Sequence, residues 1–334
     1  MRSLLSALAL LVLALPATAS HATLPDAELR AKAAGEYRGG PFRGSTFTWR
    51  SAASAITFDR SAELTYNPTW VNAFELAPRY ALSDLVSVSA RLDLTYEITE
   101  ADFNTYENEA LLGNLLVAAS VGKFATIPGV DVDVSGGLSL LFPTSKFAQA
   151  QTLMFAVLPR ARLSRSFDVL AGLRLGYGVS LGKYFHRYTT AERDSPLISG
   201  CFNSPGGCES HYNTGVRNVS WRIINSLDAS LSVTDWLSFG AALSIYTSFL
   251  YDDVDDASVS LTPVEPTDTR HALYYDLSVT LTPLTPLDVV IGAQTFSPQR
   301  KPDSSDYAPF FNRFTALYLD LRLDIAQLVA VVAK

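Results

Sequence analysis

The stretch VSVSARLDLTYEI, residues 86–98, decides how this chain is read. Val86, Val88, Ala90, Leu92, Leu94, Tyr96 and Ile98 are apolar, while Ser87, Ser89, Arg91, Asp93, Thr95 and Glu97 between them are polar or charged. Successive side chains of a strand point to opposite faces, so the stretch predicts a strand with one oily and one wet face. The chain ends on the same beat, where Leu317, Leu319, Leu321, Leu323 and Ile325 interleave with Tyr318, Asp320, Arg322 and Asp324.

Extending the period-two pattern from these two stretches predicts about 12 strands. They fall near residues 54–66, 70–82, 85–98, 111–124, 130–142, 152–163, 167–184, 216–233, 236–251, 269–282, 286–296 and 312–325. Most are longer than the roughly 5–6 residues usual in soluble sandwiches. The connections at 83–84, 125–129, 164–166, 234–235 and 283–285 are short, whereas those at 99–110, 185–215, 252–268 and 297–311 are long. Trp70, Tyr80, Tyr96, Phe142, Phe167, Trp221, Trp236 and Tyr251 lie on the oily face, most near strand ends. Interfacial aromatic girdles have that placement.

The first residues read as an export signal: Arg2, an apolar run from Leu4 to Leu15, and the small residues Ala17-Thr18-Ala19. Residues 1–19 are expected to be removed. Residues 20–53 read as a periplasmic tail with one short helix, capped by Thr23, carrying Pro25 in its first turn and stopped by Gly35. That segment is either a flexible tail or a small plug. The chain is 48% hydrophobic, yet it has no later apolar run of about 18 residues, which speaks against helical membrane spans. Alternating strands carry such apolar content without a hydropathy peak. The net charge of −7 argues against nucleic acid as a partner. Cys201 and Cys208 flank a Phe-Asn-Ser-Pro-Gly-Gly turn, and in an oxidising compartment they most simply form a disulfide closing a small loop.

Long alternating strands, connections that alternate short and long, girdle aromatics and an export signal together resemble the Gram-negative outer-membrane β-barrel proteins, porin-like in character. The resemblance spans nearly all of the mature chain. It implies an all-β fold, a transmembrane antiparallel up-and-down β-barrel over residues 54–334 with both termini periplasmic. It also implies outer-membrane lipid and lipopolysaccharide against the outside, and the barrel assembly machinery as a partner during insertion. Such barrels often end on an aromatic residue of the last strand, whereas this chain continues with residues 326–334.

The phase of each strand assigns side chains to the lumen. Early strands supply Asp59, Glu63, Glu75, Arg79, Arg91, Asp93 and Glu97; middle strands supply Arg160, Arg162, Arg174, Arg222 and Asp228; late strands supply Asp276, Asp320, Arg322 and Asp324. In a closed ring this sets a basic wall against a mostly acidic one. Counting from the short turns places Glu75, Arg91, Asp93, Arg174, Asp276 and Asp320 near a waist, where opposed charges orient polar solutes. The constriction candidates are therefore Glu75, Arg91, Asp93, Arg160, Arg162, Arg174, Arg222, Asp276, Asp320 and Arg322. Gly172, Gly176, Gly178 and Gly182 bare the inward face of one strand, marking tight bending or the close approach of a solute, the tail or a folded-in loop.

Catalysis has little support. None of His21, His186, His211 and His271 has a serine two residues on, and no nucleophile–base pair is indicated. No cofactor is implied. The run Asp252, Asp253, Asp255 and Asp256 is a weak candidate for a metal site and reads more simply as a solvated charge cluster. The expected function is an outer-membrane channel passing small hydrophilic solutes through a charged lumen. The alternative is a structural or surface-interaction barrel with a closed lumen, binding an external partner through its disulfide-pinned loop.

Overall fold

The computed structural model describes residues 40–57, 68–99, 109–191, 216–253, 267–301, 305–308 and 310–332. Its strands are β1 (Thr46–Ser54), β2 (Trp70–Ala77, resuming as Arg79–Ala81), β3 (Val86–Glu97) and β4 (Ala110–Leu112, resuming as Leu115–Ile127). They continue with β5 (Val132–Phe142), β6 (Leu153–Phe167), β7 (Gly172–His186), β8 (Val219–Ser232), β9 (Leu237–Leu250), β10 (Thr269–Leu284), β11 (Leu287–Pro298) and β12 (Thr315–Asp324). The 14 ladder segments thus make 12 strands, because two strands are each interrupted once. Pro78 interrupts β2, since it has no N–H to give the ladder. Its carbonyl still accepts from the Ala90 amide at 3.0 Å.

Each strand pairs antiparallel with its neighbours in sequence, and β1 pairs with β12 from Thr46↔Asp324 to Ser54↔Ala316. The sheet therefore closes on itself without an edge, which makes it a barrel. Thr46 also pairs with Ala77, so β1 starts and β12 ends at the rim carrying the short turns.

One face of every ladder is apolar and exposed. Phe74, Leu94, Leu138, Leu175, Leu227, Ile245, Leu277, Ile291 and Leu317 belong to this belt, with Trp70 and Trp221 towards its long-loop margin. Soluble monomers rarely expose an apolar patch beyond about 300–600 Å², so the solvent this surface suits is hydrocarbon. Lys183 shows how polarity returns at the margin. Its Nζ lies 4.8 Å from the Trp221 ring and 5.2 Å from the Tyr251 ring, and it donates to Ser220 Oγ at 2.8 Å. A long side chain carries its charge along apolar surface to the polar boundary in this way.

One local reading is corrected, and two short helices are added to it. The first strand of the ring lies at Thr46–Ser54, so part of the expected tail belongs to the barrel; of the strand expected at 54–66, Ala55–Thr57 form a 3-10 turn and residues 58–66 lie outside the described residues. The outward residues Phe47, Trp49, Ser51 and Ala53 of β1 include only two large apolar groups, which dilutes the alternation. After β12 the chain does not extend the strand but turns into the helix α2 (Ile325–Val332). The Asp324 carboxylate accepts from the Gln327 amide at 2.9 Å and caps it. Between β5 and β6 sits the short helix α1 (Lys146–Ala150), whose Ser145 hydroxyl accepts from the Ala148 amide at 3.1 Å.

Candidate functional site in the barrel interior

Register carries the inner face around the ring. Asp93 lies opposite Glu75, Glu75 opposite Thr48, Thr48 opposite Arg322, and Arg322 opposite Asp288. Farther round, Arg160 lies opposite Gly137, Arg162 opposite Ser135, Arg174 opposite Ser166, Arg222 opposite Gly182, and Asp276 opposite Ala242. Residues of the other parity form the apolar belt, so all ten predicted lumen residues face inwards. Asp59 and Glu63 lie outside the described residues.

Where β1 closes against β12, Arg50 donates from Nε to Asp320 Oδ1 at 2.7 Å and from Nη2 to Asp320 Oδ2 at 2.8 Å. Its Nη1 reaches Gln294 Oε1 at 3.1 Å, and its guanidinium lies 4.2 Å from the centre of the Tyr318 ring. Tyr318 in turn donates to Asp276 Oδ2 at 2.7 Å, while Arg322 stands 3.9 Å from Asp320. A planar fork facing a carboxylate is the strongest ion-pair geometry available to side chains. Arg50 was hidden from the sequence reading inside the segment taken for a tail.

Opposite, Arg162 reaches Asp228 at 2.5 Å by crossing β7. It can do so because Gly176 has no side chain: a Cβ there would meet the Arg162 guanidinium and, at 2.7 Å, the Asp228 carboxylate. Gly182 likewise makes room for Leu158, 2.8 Å from where its Cβ would stand. The bare strand is therefore occupied by side chains of its neighbours.

Arg91 sits 3.9 Å from Glu75 and within electrostatic reach of Asp93. It also comes within reach of Tyr246 on β9, six strands away in the ring of 12. Arg160 lies near Arg79, Arg91 and Arg162 and donates to Ser120 Oγ at 2.7 Å; among the described residues it has no carboxylate partner.

The waist differs from the one counted along the sequence. Arg174 is the third residue of β7, bonded to Ser164 at 3.1 Å and near Asp133, so it belongs to the short-turn mouth. The displacement follows from β7 starting at Gly172 instead of residue 167. The walls are also less segregated than the parity count suggests, because Arg50 joins the acidic wall and Asp228 pairs with Arg162 in the basic one.

The long-loop end is partly apolar. Ala148 of α1 packs with the inward residues Leu116, Leu141, Ala156 and Tyr184 and with Leu153, and Ala156 is fully buried. The connection between β5 and β6 therefore folds over the mouth. Tyr184, Tyr246, Tyr274 and Tyr318 all face inwards, with the last three on β9, β10 and β12. Their parity was available in the sequence, but apart from Tyr318 the sequence reading did not assign them to the lumen.

The remaining candidates are placed as follows. His186 contacts the Gln151 carbonyl at 2.7 Å and stands edge-on to Tyr251, and His271 contacts Thr247 at 3.3 Å. Asp253 pairs with Arg217 at 3.0 Å, and among the described residues no cluster of metal-ligating groups is present. Cys201, Cys208, Asp255, Asp256, His21 and His211 lie outside the described residues.

A closed 12-strand meander with an apolar belt and a polar interior defines a bacterial outer-membrane β-barrel protein. Among solved structures, the chain is similar to an outer-membrane channel from Pseudomonas putida F1. The match has a TM-score of 0.52 at 10% identity and covers 86% of this chain and 98% of that one. The NanC porin matches with a TM-score of 0.43 at 10% identity, and the KdgM porin with 0.40 at 8%; each match covers 83% of this chain and 98% of the other. At 10% identity the likeness to the Pseudomonas putida channel is one of fold. No family model and no curated protein matches the chain.

Proposed function

We propose that the barrel is a passive, porin-like channel through which small hydrophilic solutes cross the outer membrane, with both termini in the periplasm. The supporting observation is Arg160, a cation on the inner face whose bonded partner among the described residues is a serine hydroxyl. A dry, closed interior would need a counter-charge there, since an uncompensated buried ion costs several kcal/mol. Water in the lumen removes that requirement. The charges offered to a passing solute are Glu75, Arg91 and Asp93, with the Arg50–Asp320 pair and Asp276 to one side and Arg160 and Arg162 to the other.

Swelling of proteoliposomes in isosmotic sugars tests the proposal. Pentoses should enter, and the rate should fall steeply for disaccharides. A folded, heat-modifiable barrel that admits no pentose would refute it. No catalytic step is assigned to any side chain.

A further inference from the structure

We infer that α2 is a lipid anchor, embedded along the membrane surface on the short-turn side beside the seam that closes the barrel. Of its eight residues, Ile325 to Val332, Gln327 alone is polar, and Gln327 hydrogen-bonds back to Asp324 through both its backbone amide and its side chain. The rest of the helix is apolar on every side. None of the eight residues is buried, and Val329 and Val332 are 61% and 78% exposed. A helix that is apolar all round is ordinarily enclosed by protein or by hydrocarbon, and this one lays no face in the protein.

Its position says which encloses it. β12 has 10 residues, and about 9–11 tilted residues carry a strand across the hydrocarbon. The end of β12 at Asp324 therefore stands at the membrane surface, and α2 begins there. The Asp324 amide donates to the Pro286 carbonyl at 2.9 Å, and the Ile325 amide to the Ser45 carbonyl at 2.9 Å, which fixes the start of the helix at the seam between β12 and β1.

Beside this point Leu287, Leu323, Phe47 and Leu76 stand in register on the outer faces of β11, β12, β1 and β2. They are the row of the lipid-facing belt next to the rim, and the apolar surface of α2 continues it. At about 1.5 Å per residue the helix is about 12 Å long, too short to cross a core of roughly 30 Å and suited to lying along its edge. Turns join consecutive strands elsewhere around this rim. At the seam the chain instead enters and leaves the ring, and α2 is the part that meets lipid there. A closed lumen would leave this anchor unchanged.

The test uses the folded protein in phosphatidylcholine vesicles, with Cys201 and Cys208 changed to serine and one new cysteine carrying an NBD fluorophore. Val329→Cys and Val332→Cys report α2, and Asp235→Cys reports an exposed short turn at the same rim. Nitroxides on the acyl chains about 5–10 Å below the headgroups should quench both α2 probes about twofold or more, and aqueous iodide should quench them about threefold less than the Asp235 probe. Heat-modifiable migration verifies that each labelled barrel is folded, and if one α2 variant fails to fold the other decides. Iodide quenching equal to that at Asp235 would place α2 in water and overturn the proposal. Protection from both quenchers would mean that protein covers α2, whether residues 20–39 of this chain or a second copy, and would overturn it too.

Discussion

Replacing Asp320 by alanine removes the carboxylate that joins the first and last strands of the ring. Its side chain is 1% exposed and that of its partner Arg50 is 24% exposed. Breaking a buried ion pair from one side costs about 3–5 kcal/mol, because the other charge is left uncompensated. Arg50 keeps its bond to Gln294, its contact with the Tyr318 ring and some solvent, so the expected loss is about 2–3 kcal/mol. With a urea dependence of about 3 kcal/mol per molar, the unfolding midpoint in lipid vesicles should fall by roughly 0.7–1 M. The double variant Arg50→Met with Asp320→Leu should recover to within about 1 kcal/mol of the unaltered protein, since two matched apolar groups replace the pair. Tryptophan fluorescence during unfolding reads both values. A midpoint for Asp320→Ala within about 0.2 M of the unaltered protein would show that closure does not depend on this pair.

Other expectations follow from the same geometry. Arg160→Glu changes the wall charge by two units. At about 10 Å in water that is about 0.8 kcal/mol in favour of each cation and as much against each anion, so cation over anion permeability should rise about 16-fold, read as the reversal potential in a salt gradient. Gly292→Ala should lower stability by about 1–3 kcal/mol in urea titration, because its Cβ would stand 2.5 Å from the Tyr318 hydroxyl and 2.7 Å from the Leu277 carbonyl, and backbone cannot move aside. Leu277→Arg, on the outer face near the middle of β10, should cost about 2–4 kcal/mol. Ala242→Arg, facing inwards between Asp228 and Asp276, should change stability by less than about 1 kcal/mol in the same titration.

Strand β3 is legible in the sequence because its two faces meet two different solvents, so every second residue from Val86 to Glu97 is constrained in opposite senses. β1 is not, since Ser51, Ala52, Ala53 and Ser54 suit either face and pairing with β12 selects the register. The lumen charges were readable from parity alone, which needs only the correct phase. Their partners were not. The contact of Arg162 with Asp228 depends on Gly176, which leaves the strand between them without a side chain at that point. Height was misjudged for Arg174 because a strand boundary set five residues too early moves every later position up the wall. Inward tyrosines were missed for a chemical reason: the same side chain serves membrane girdles and wet interiors.

Single-channel recording in a planar bilayer tests the central claim most directly. The folded protein, added to one side in molar salt, should give discrete, uniform conductance steps. Those steps should shift in ion selectivity when Arg160 becomes glutamate. Insertion of heat-modifiable barrel with no conductance steps at any voltage would contradict the account.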